Sequence, residues 1–286
     1  MALLENKIDF VMFFTVNGAN PNGDPMNDNI PRTDYDGFGE ISDVCIKRKI
    51  RNRMQDMKQP IFVQANDRIV DKMKSLEERF EAEIDKGLTE EKIYQISCEK
   101  WIDVRSFGQV ITYRNLSIGI RGPVSIALTK SLSPVDIVSM QITRSTNGMK
   151  AKEGGSRSSD TMGMKHFVDF GVYKVKGSIN AFFAEKTGFT VEDAEIIKKA
   201  LCTLFDNDAS SARPEGSMEV KKLYWFIHPS KIGLVSSAKV HDLVKTELIN
   251  NNAKPSKYED YSITLDEERL SFLKEKGLRV EIYDGV

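Results

Sequence analysis

Four carboxylates in one stretch and a run of cations in the next set the chemistry open to this chain. The stretch FFTVNGANPNGDPMNDNIPRTDYDGFGE, residues 13–40, carries Asp24, Asp28, Asp34 and Asp36. Carboxylates suit Mg²⁺, which needs only one or two of them when a substrate supplies phosphates. Asp, Asn, Gly and Pro are equally the residues of tight turns, and NGDP is turn chemistry by itself. No His or Lys stands within the stretch as a proton donor. Long loops inside compact chains are usually functional or disordered. Two readings stay open: a metal site for hydrolysis, or a loop lining something else.

The following segment, SDVCIKRKIRNRMQDMK, reads as a helix opened by Ser42 or Asp43. At about 100° per residue, Ile46, Ile50, Met54 and Met57 share one stripe. Lys47, Arg51 and Lys58 fall together beside it, with Arg48 a little further round. Within the segment only Asp43 and Asp56 oppose this charge. The helix start follows the loop directly, so free backbone N–H groups are expected beside the cations. A phosphodiester backbone is the natural partner, because each Lys or Arg contact releases condensed counterions. The plain alternative is a solvated helix face.

The elements that must position these groups read as an α+β chain. Residues 8–17 form a buried strand. A polar helical region over 66–87 ends at Gly87, and Thr89 caps a further helix. DVRSFGQV is turn-rich, and LSIGIRGPVSIAL is a strand kinked at Gly122-Pro123. IVSMQITRSTN is a strand that enters a Gly/Ser/Lys-rich loop. In the next strand, FVDFGVYKVKGSINAFF, Tyr173, Val175, Ile179 and Phe183 alternate with Lys174, Lys176, Ser178 and Asn180, giving one buried and one wet face. Thr190 and Asp193 open a helix that runs to Phe205. A second loop, DNDASSARPEGS, leads into the strand EVKKLYWFIH; a helical piece near 238–249, a polar linker and the strand LRVEIYD complete the chain. Stripped of insertions, the order is β, α, β, β, α, β. That is the ferredoxin-like, split βαβ arrangement used by RNA-recognition motifs.

Composition narrows the classes. With 41 Lys plus Arg against 42 Asp plus Glu, the net charge is −1, so a polyanion partner needs segregated charge, with acids gathered largely at 77–91. Cys45, Cys98 and Cys202 are far apart, and His166, His228 and His241 form no ligand pair. No disulfide framework or metal spacing follows, and a reducing cytoplasm fits. The start MALLENKIDFVMFF lacks the marks of a signal peptide, and no apolar run reaches the roughly 20 residues of a membrane span.

The segments VNGANPNGDP, SDVCIKRKIR, WIDVRSFGQV, IRGPVSI, TMGMKHFVDFGVYKVKGSINAFFA and EGSMEVKKLYWF are specific in combination. Together they resemble the Cas-seven family, the backbone subunit of the CRISPR surveillance complex Cascade, closest to the type I-C (Dvulg) subtype. The resemblance implies a modified RNA-recognition-motif palm spanning residues 1–286. A helical fingers insertion would occupy about 58–117 and a β-hairpin thumb about 144–168. It implies a helical filament of copies along a CRISPR RNA, which stays open for pairing with target DNA. Other Cascade subunits (an RNA-processing end subunit, a large subunit and small subunits) would be the further partners. No catalytic residue, metal or cofactor is implied. Related type III backbone subunits cut target RNA with an acid in this same first loop, which keeps a metal-dependent ribonuclease as the alternative.

Carried over by motif, Lys47, Arg48, Lys49 and Arg51 would hold guide phosphates. Arg105 and Arg121 are candidates for the same job, with a structural ion pair as the alternative for each. Ser139, Gln141 and Thr143 alternate along one strand toward sugar or phosphate. Met149, Met162 and Met164 would wedge a base step at the thumb, with Lys150, Lys152, Arg157 and Lys165 beside them. Arg213 and Gly216 match the family's glycine-rich loop, where a missing Cβ admits RNA. The usual aromatic stacking signature of the RNA-recognition motif is absent, so phosphate contacts are expected to carry affinity. On this reading Gly18, Gly23 and Arg32, rather than the aspartates, are the loop's RNA-facing residues.

Overall fold

A computed structural model describes residues 2–143, 162–250 and 253–285. β1 (Ile8–Ala19) is buried at every residue from Ile8 to Val16. The loop after it is tied down by β2 (Gly23–Asp24), β3 (Ile30–Pro31) and β4 (Phe38–Ile41). Ser42 caps α1 (Asp43–Asp56), its Oγ accepting from the Cys45 N–H at 3.3 Å. The polar helical region expected over 66–87 is helical only in α2 (Leu76–Glu83), apart from one 3₁₀ turn at Asn66–Arg68. The reason is local: Lys72 takes φ +66°, and Arg79 reaches back to Asp71 and to the Phe62 carbonyl, holding the segment between them as a bend.

Thr89 caps α3 (Glu90–Lys100). The expected turn at DVRSFGQV is instead a helix, α4 (Ile102–Phe107), stopped by Gly108 at φ +83°. Short strands β5 (Gln109–Ile111) and β6 (Ile118–Ile120) pair with each other. β7 (Val124–Ile126), β8 (Thr129–Pro134) and β9 (Ile137–Thr143) all pair with the long β10 (Met162–Ile179). α5 (Ala181–Thr187) and α6 (Val191–Cys202) follow, the latter opened by the Thr190–Asp193 capping box. After β11 (Met218–Ile227), the helix expected to reach 249 stops early, as α7 (Ser237–His241). Val244–Leu248 forms β12 and pairs with β13 (Tyr261–Leu265); α8 (Glu267–Glu275) and β14 (Arg279–Asp284) close the chain.

The fold is mixed α/β around a large antiparallel sheet, ordered β14-β11-β1-β10-β8-β4. Alternation along β1 sends its side chains into two cores. Phe10, Met12, Phe14 and Val16 pack with Ile46, Ile50 and Met54 of α1 and Ile197 and Leu201 of α6. Val11 and Phe13 pack with Phe226 under Val240, Leu243, Val244, Leu270 and Leu273. The sheet face opposite α1 and α6 is therefore covered, by Val240, Leu243, Val244, Tyr261, Leu270, Leu273 and Leu278, and is not open to solvent. Residues 62–120 have an apolar centre of their own, around Phe62, Phe80, Ile93, Trp101 and Ile118.

Two outcomes follow from this packing. A Cβ at Gly177 would lie 2.2 Å from the buried Phe10 ring, whereas one at Gly119 would meet nothing within 4 Å. Gly177→Ala should lower stability by about 1–3 kcal/mol from overpacking, with Gly119→Ala far milder, read by urea denaturation. Lys174 donates to the Val244 carbonyl at 2.9 Å beneath the covering layer, and burial pushes its ammonium down to about 8. Its unfolded value is about 10.4, so the penalty for charging it in the fold is full below about pH 8. That penalty is relieved as pH rises toward 10.4. Lys174→Met should flatten the rise of stability with pH over that window, measured against the parent chain.

Candidate nucleic-acid interface

The two Gly-rich loops fold against each other at one end of the sheet. The Asn17 N–H donates to the Ser217 carbonyl at 2.8 Å, and the Asn20 N–H to the Ala212 carbonyl at 2.9 Å. Asn22 Oδ1 accepts from the Ser42 N–H at 2.9 Å, so the first loop also sits on the start of α1. The loop acids are occupied in shaping it. Asp24 Oδ1 accepts from the Met26 N–H and from Arg32, both at 3.2 Å. Asp34 accepts from the N–H groups of Asp36 and Phe38, and from Lys130 at 2.7 Å. Lys130 holds the Asp34 carboxyl below its ordinary range. Among the described residues, no three His, Cys, Asp or Glu side chains converge as a metal-ligand group.

The cationic helix is not bare. Lys47 pairs with Asp43 one turn earlier, at 2.9 Å. Arg48 donates to the Val63 carbonyl at 2.7 Å. Lys49 is only 3 % exposed and is bound to Asp208. Arg51 Nε meets Asp103 at 3.0 Å, and its guanidinium lies over the Phe107 ring. Arg53, passed over in the sequence, bonds Thr203 at 2.7 Å and Asp206 at 3.1 Å. The expectation that only Asp43 and Asp56 oppose this charge is thus corrected: Asp103, Asp206 and Asp208 arrive from distant elements. The one available sequence signal was the DND run directly after α6, the helix that packs on α1. The helix start is also already served, since the Asp43 carboxyl is held low by Lys47 and by the first-turn N–H groups.

Arg105 takes the ion-pair alternative. Its Nε and a terminal nitrogen grip Asp193 at 2.9 and 2.7 Å, while Asp193 also caps α6. Arg121 lies elsewhere. β10 pairs Val168 with Ala19 at the loop end and Ile179 with Ile8 at the other. At about 3.3 Å per residue those ends are about 36 Å apart. Arg121 precedes β7, whose Val124 pairs with Ile179 at the far end.

Arg32, Arg213, Gly216, Gln141 and Lys165 belong to the loop end or to the β9–β10 ribbon that leaves it. Arg213 Nε lies 3.4 Å from Asp208, while its terminal nitrogens have no partner among the described residues. Gly216 adopts φ +74° with open space where a Cβ would stand. Its backbone conformation, rather than crowding within this chain, is what calls for glycine. On the ribbon Met162 faces Thr143 and Met164 faces Gln141, and both methionines are more than half exposed. Gln141 donates to the Met162 sulfur at 3.0 Å. Lys165 stands opposite Met140, on the other face. Met149, Lys150, Lys152 and Arg157 lie outside the described residues.

Asp103 is the acid on which this arrangement turns. Fully buried, it accepts from the N–H groups of Phe62 and Val63 at 2.8 and 3.0 Å as well as from Arg51. Asp103→Ala should cost about 3–5 kcal/mol, because it strands a cation and two amides. Chemical denaturation reads this directly, and a loss below about 1 kcal/mol would show the hub to be dispensable.

Residues 6–266 match the family model described as CRISPR-associated protein Cas7. The protein named CRISPR-associated protein Cas7 from Haloferax volcanii is 24% identical over 226 residues. That alignment covers 72% of this chain and 66% of the relative, just under two thirds of its length. A chain of a solved "CRISPR RNA-guided surveillance complex, pre-nicking" superposes with a TM-score of 0.51 at 12% identity, covering 82% of this chain and 81% of that one. The structural likeness is one of fold.

Proposed function

The chain belongs to the CRISPR-associated Cas7 family, and from that premise we propose that it is a non-catalytic, guide-RNA-binding backbone subunit of a type I-C surveillance complex. On this reading the main sheet is an RNA-recognition-motif-like palm, residues 58–117 are the fingers, and residues 144–168 are the thumb. Copies multimerise along CRISPR RNA beside the other Cascade subunits, and the guide pairs with target DNA.

The observation that carries this reading is the loop cluster. Arg213 lies within ion-pair distance of Asp208, 3.4 Å at Nε, with no side-chain hydrogen bond among the described residues, and Gly216, three residues on, has open space where a Cβ would stand. An Arg fork of this kind suits phosphate oxygens. The cations assigned from the sequence divide accordingly. On α1, Lys49 and Arg51 act by holding the loops and α4 in place, while Arg32 and Arg213 of the loops and Lys165 of the ribbon are the ones to meet the strand. The exposed methionines of the ribbon suit insertion at a base step. The engagement of Asp24 and Asp34 in turn hydrogen bonds favours a shaping role over metal binding.

Expression with a CRISPR array should yield a multimer carrying guide RNA, identified by sequencing the bound nucleic acid. Arg32→Ala and Arg213→Ala should each weaken RNA binding and lower the salt slope by about one. Unchanged binding in both would sink the loop cluster as the guide site. Complementary RNA in Mg²⁺ should remain whole; evenly spaced cuts abolished by Asp24→Ala or Asp34→Ala would make the chain a ribonuclease instead.

A further inference from the structure

At the end of the sheet away from the loops, an exposed cation is laid over an aromatic ring. Arg121 Cζ lies 4.3 Å from the centre of Phe183, and Lys186 Nζ lies 5.9 Å from the same ring. Among the described residues, the Arg121 guanidinium has no carboxylate and no hydrogen-bond partner. The adjoining Phe182 is 47% exposed. Glu185, the acid of α5, is paired with Lys231 at 3.1 Å.

This group is held rigidly. A Cβ at Gly122 would lie 2.3 Å from the Ser106 carbonyl oxygen, and one at Gly108 would lie 2.3 Å from that of Ile120. The end of α4 and the β6–β7 turn therefore touch backbone to backbone, fixing where Arg121 starts. The next residue but one, Pro123, accepts from the Asn180 N–H at 3.0 Å. Asn180 in turn accepts from the N–H groups of Phe182 and Phe183, at 2.9 and 3.2 Å. One chain of contacts places both the cation and the rings.

We propose that Arg121, Phe182 and Phe183 form a stacking platform for an unpaired base of a single-stranded nucleic acid, separate from the loop cluster. Arg121 is exposed while its guanidinium lies over Phe183, and unpaired bases stack on guanidinium planes and on exposed aromatics. Phosphates flanking the base meet the unneutralised charge of Arg121 and Lys186. A duplex hides its base faces, and an acidic peptide offers no plane to stack. Lys186 stands at the edge of a cleft of about 750 Å³ whose other charged lining residues, Glu90, Glu91, Glu99 and Glu185, are all acidic. A phosphate is therefore better placed at Arg121 and Lys186 than deeper in the cleft. The platform rests on the reading of this chain as a nucleic-acid-binding subunit but uses a different surface, so the two can fail separately.

The test is fluorescence anisotropy of the full chain with labelled oligo-uridylate and, separately, oligo-thymidylate over a salt series. Arg121→Lys and Phe182→Ala should each weaken binding about five- to tenfold. The salt slope should stay unchanged, because lysine keeps the charge and loses the plane. Both polymers should be affected alike, since stacking needs no 2′-hydroxyl. Parent-like binding by Arg121→Lys would make the residue a phosphate contact and overturn the platform, as would a loss confined to one polymer. Phe182→Ala that spares nucleic-acid binding but lowers self-association in sedimentation would make the surface a protein contact. If the parent binds neither polymer, the nucleic-acid reading of the whole chain falls with it.

Discussion

The first strand has no wet side, and the rest of the molecule is arranged around that constraint. Nine consecutive buried residues, Ile8 to Val16, demand a neighbour on each edge and a layer on each face. β10 and β11 supply the edges. α1 and α6 supply one face, and α7, β12, β13 and α8 the other. The only ionisable group in the run, Asp9, is tolerated because His228 meets it at 2.8 Å and Lys7 at 3.2 Å. An unpaired buried charge there would cost several kcal/mol. Because the second layer takes the sheet face, the surfaces left open beside it are loops, ribbon and sheet ends.

The same economy governs the charges. Along α1, Lys49, Arg51 and Arg53 are drawn inward to Asp208, Asp103 and Asp206. Each pair costs desolvation, so single carboxylates are shared: Asp208 between Lys49 and Arg213, Asp103 between Arg51 and two amides, and Asp193 between Arg105 and the start of α6. Sharing ties the 203–217 segment and α4 to α1. Among the described residues, Arg121 and Lys186 at the far end of the sheet have no carboxylate partner, while Arg213 at the loop end shares Asp208 with Lys49.

The aspartates show how the same residue types serve different ends. Asp34 bonds amides two and four residues on, as turn chemistry predicts. Asp103 carries no turn signal, yet it holds Arg51 and two backbone amides. Its neighbours in sequence look like any short polar stretch, and its worth comes from the Phe62 and Val63 amides some 40 residues upstream.

Local order was legible in the residues themselves. The strand at 8–17 and the Ser42, Thr89 and Thr190 caps follow from short-range sterics and hydrogen bonding. The strand expected to kink at Gly122-Pro123 instead divides there into β6 and β7 of different sheets, and the face expected to be wet at Lys174 lies under the second layer, because each was decided by distant partners. The Asp43 to Met57 periodicity placed the apolar stripe of α1 correctly, because burial period is a property of one helix. What tertiary structure alone decided was which long-range partners the charged groups and late strands met. Whether Lys49 met solvent or Asp208, whether Arg105 stood free or clamped Asp193, and whether Val244–Leu248 continued a helix or paired with Tyr261–Leu265 all depended on groups far along the chain. Charge pairing and strand pairing are contacts between distant residues, and a local pattern carries no record of the distant partner.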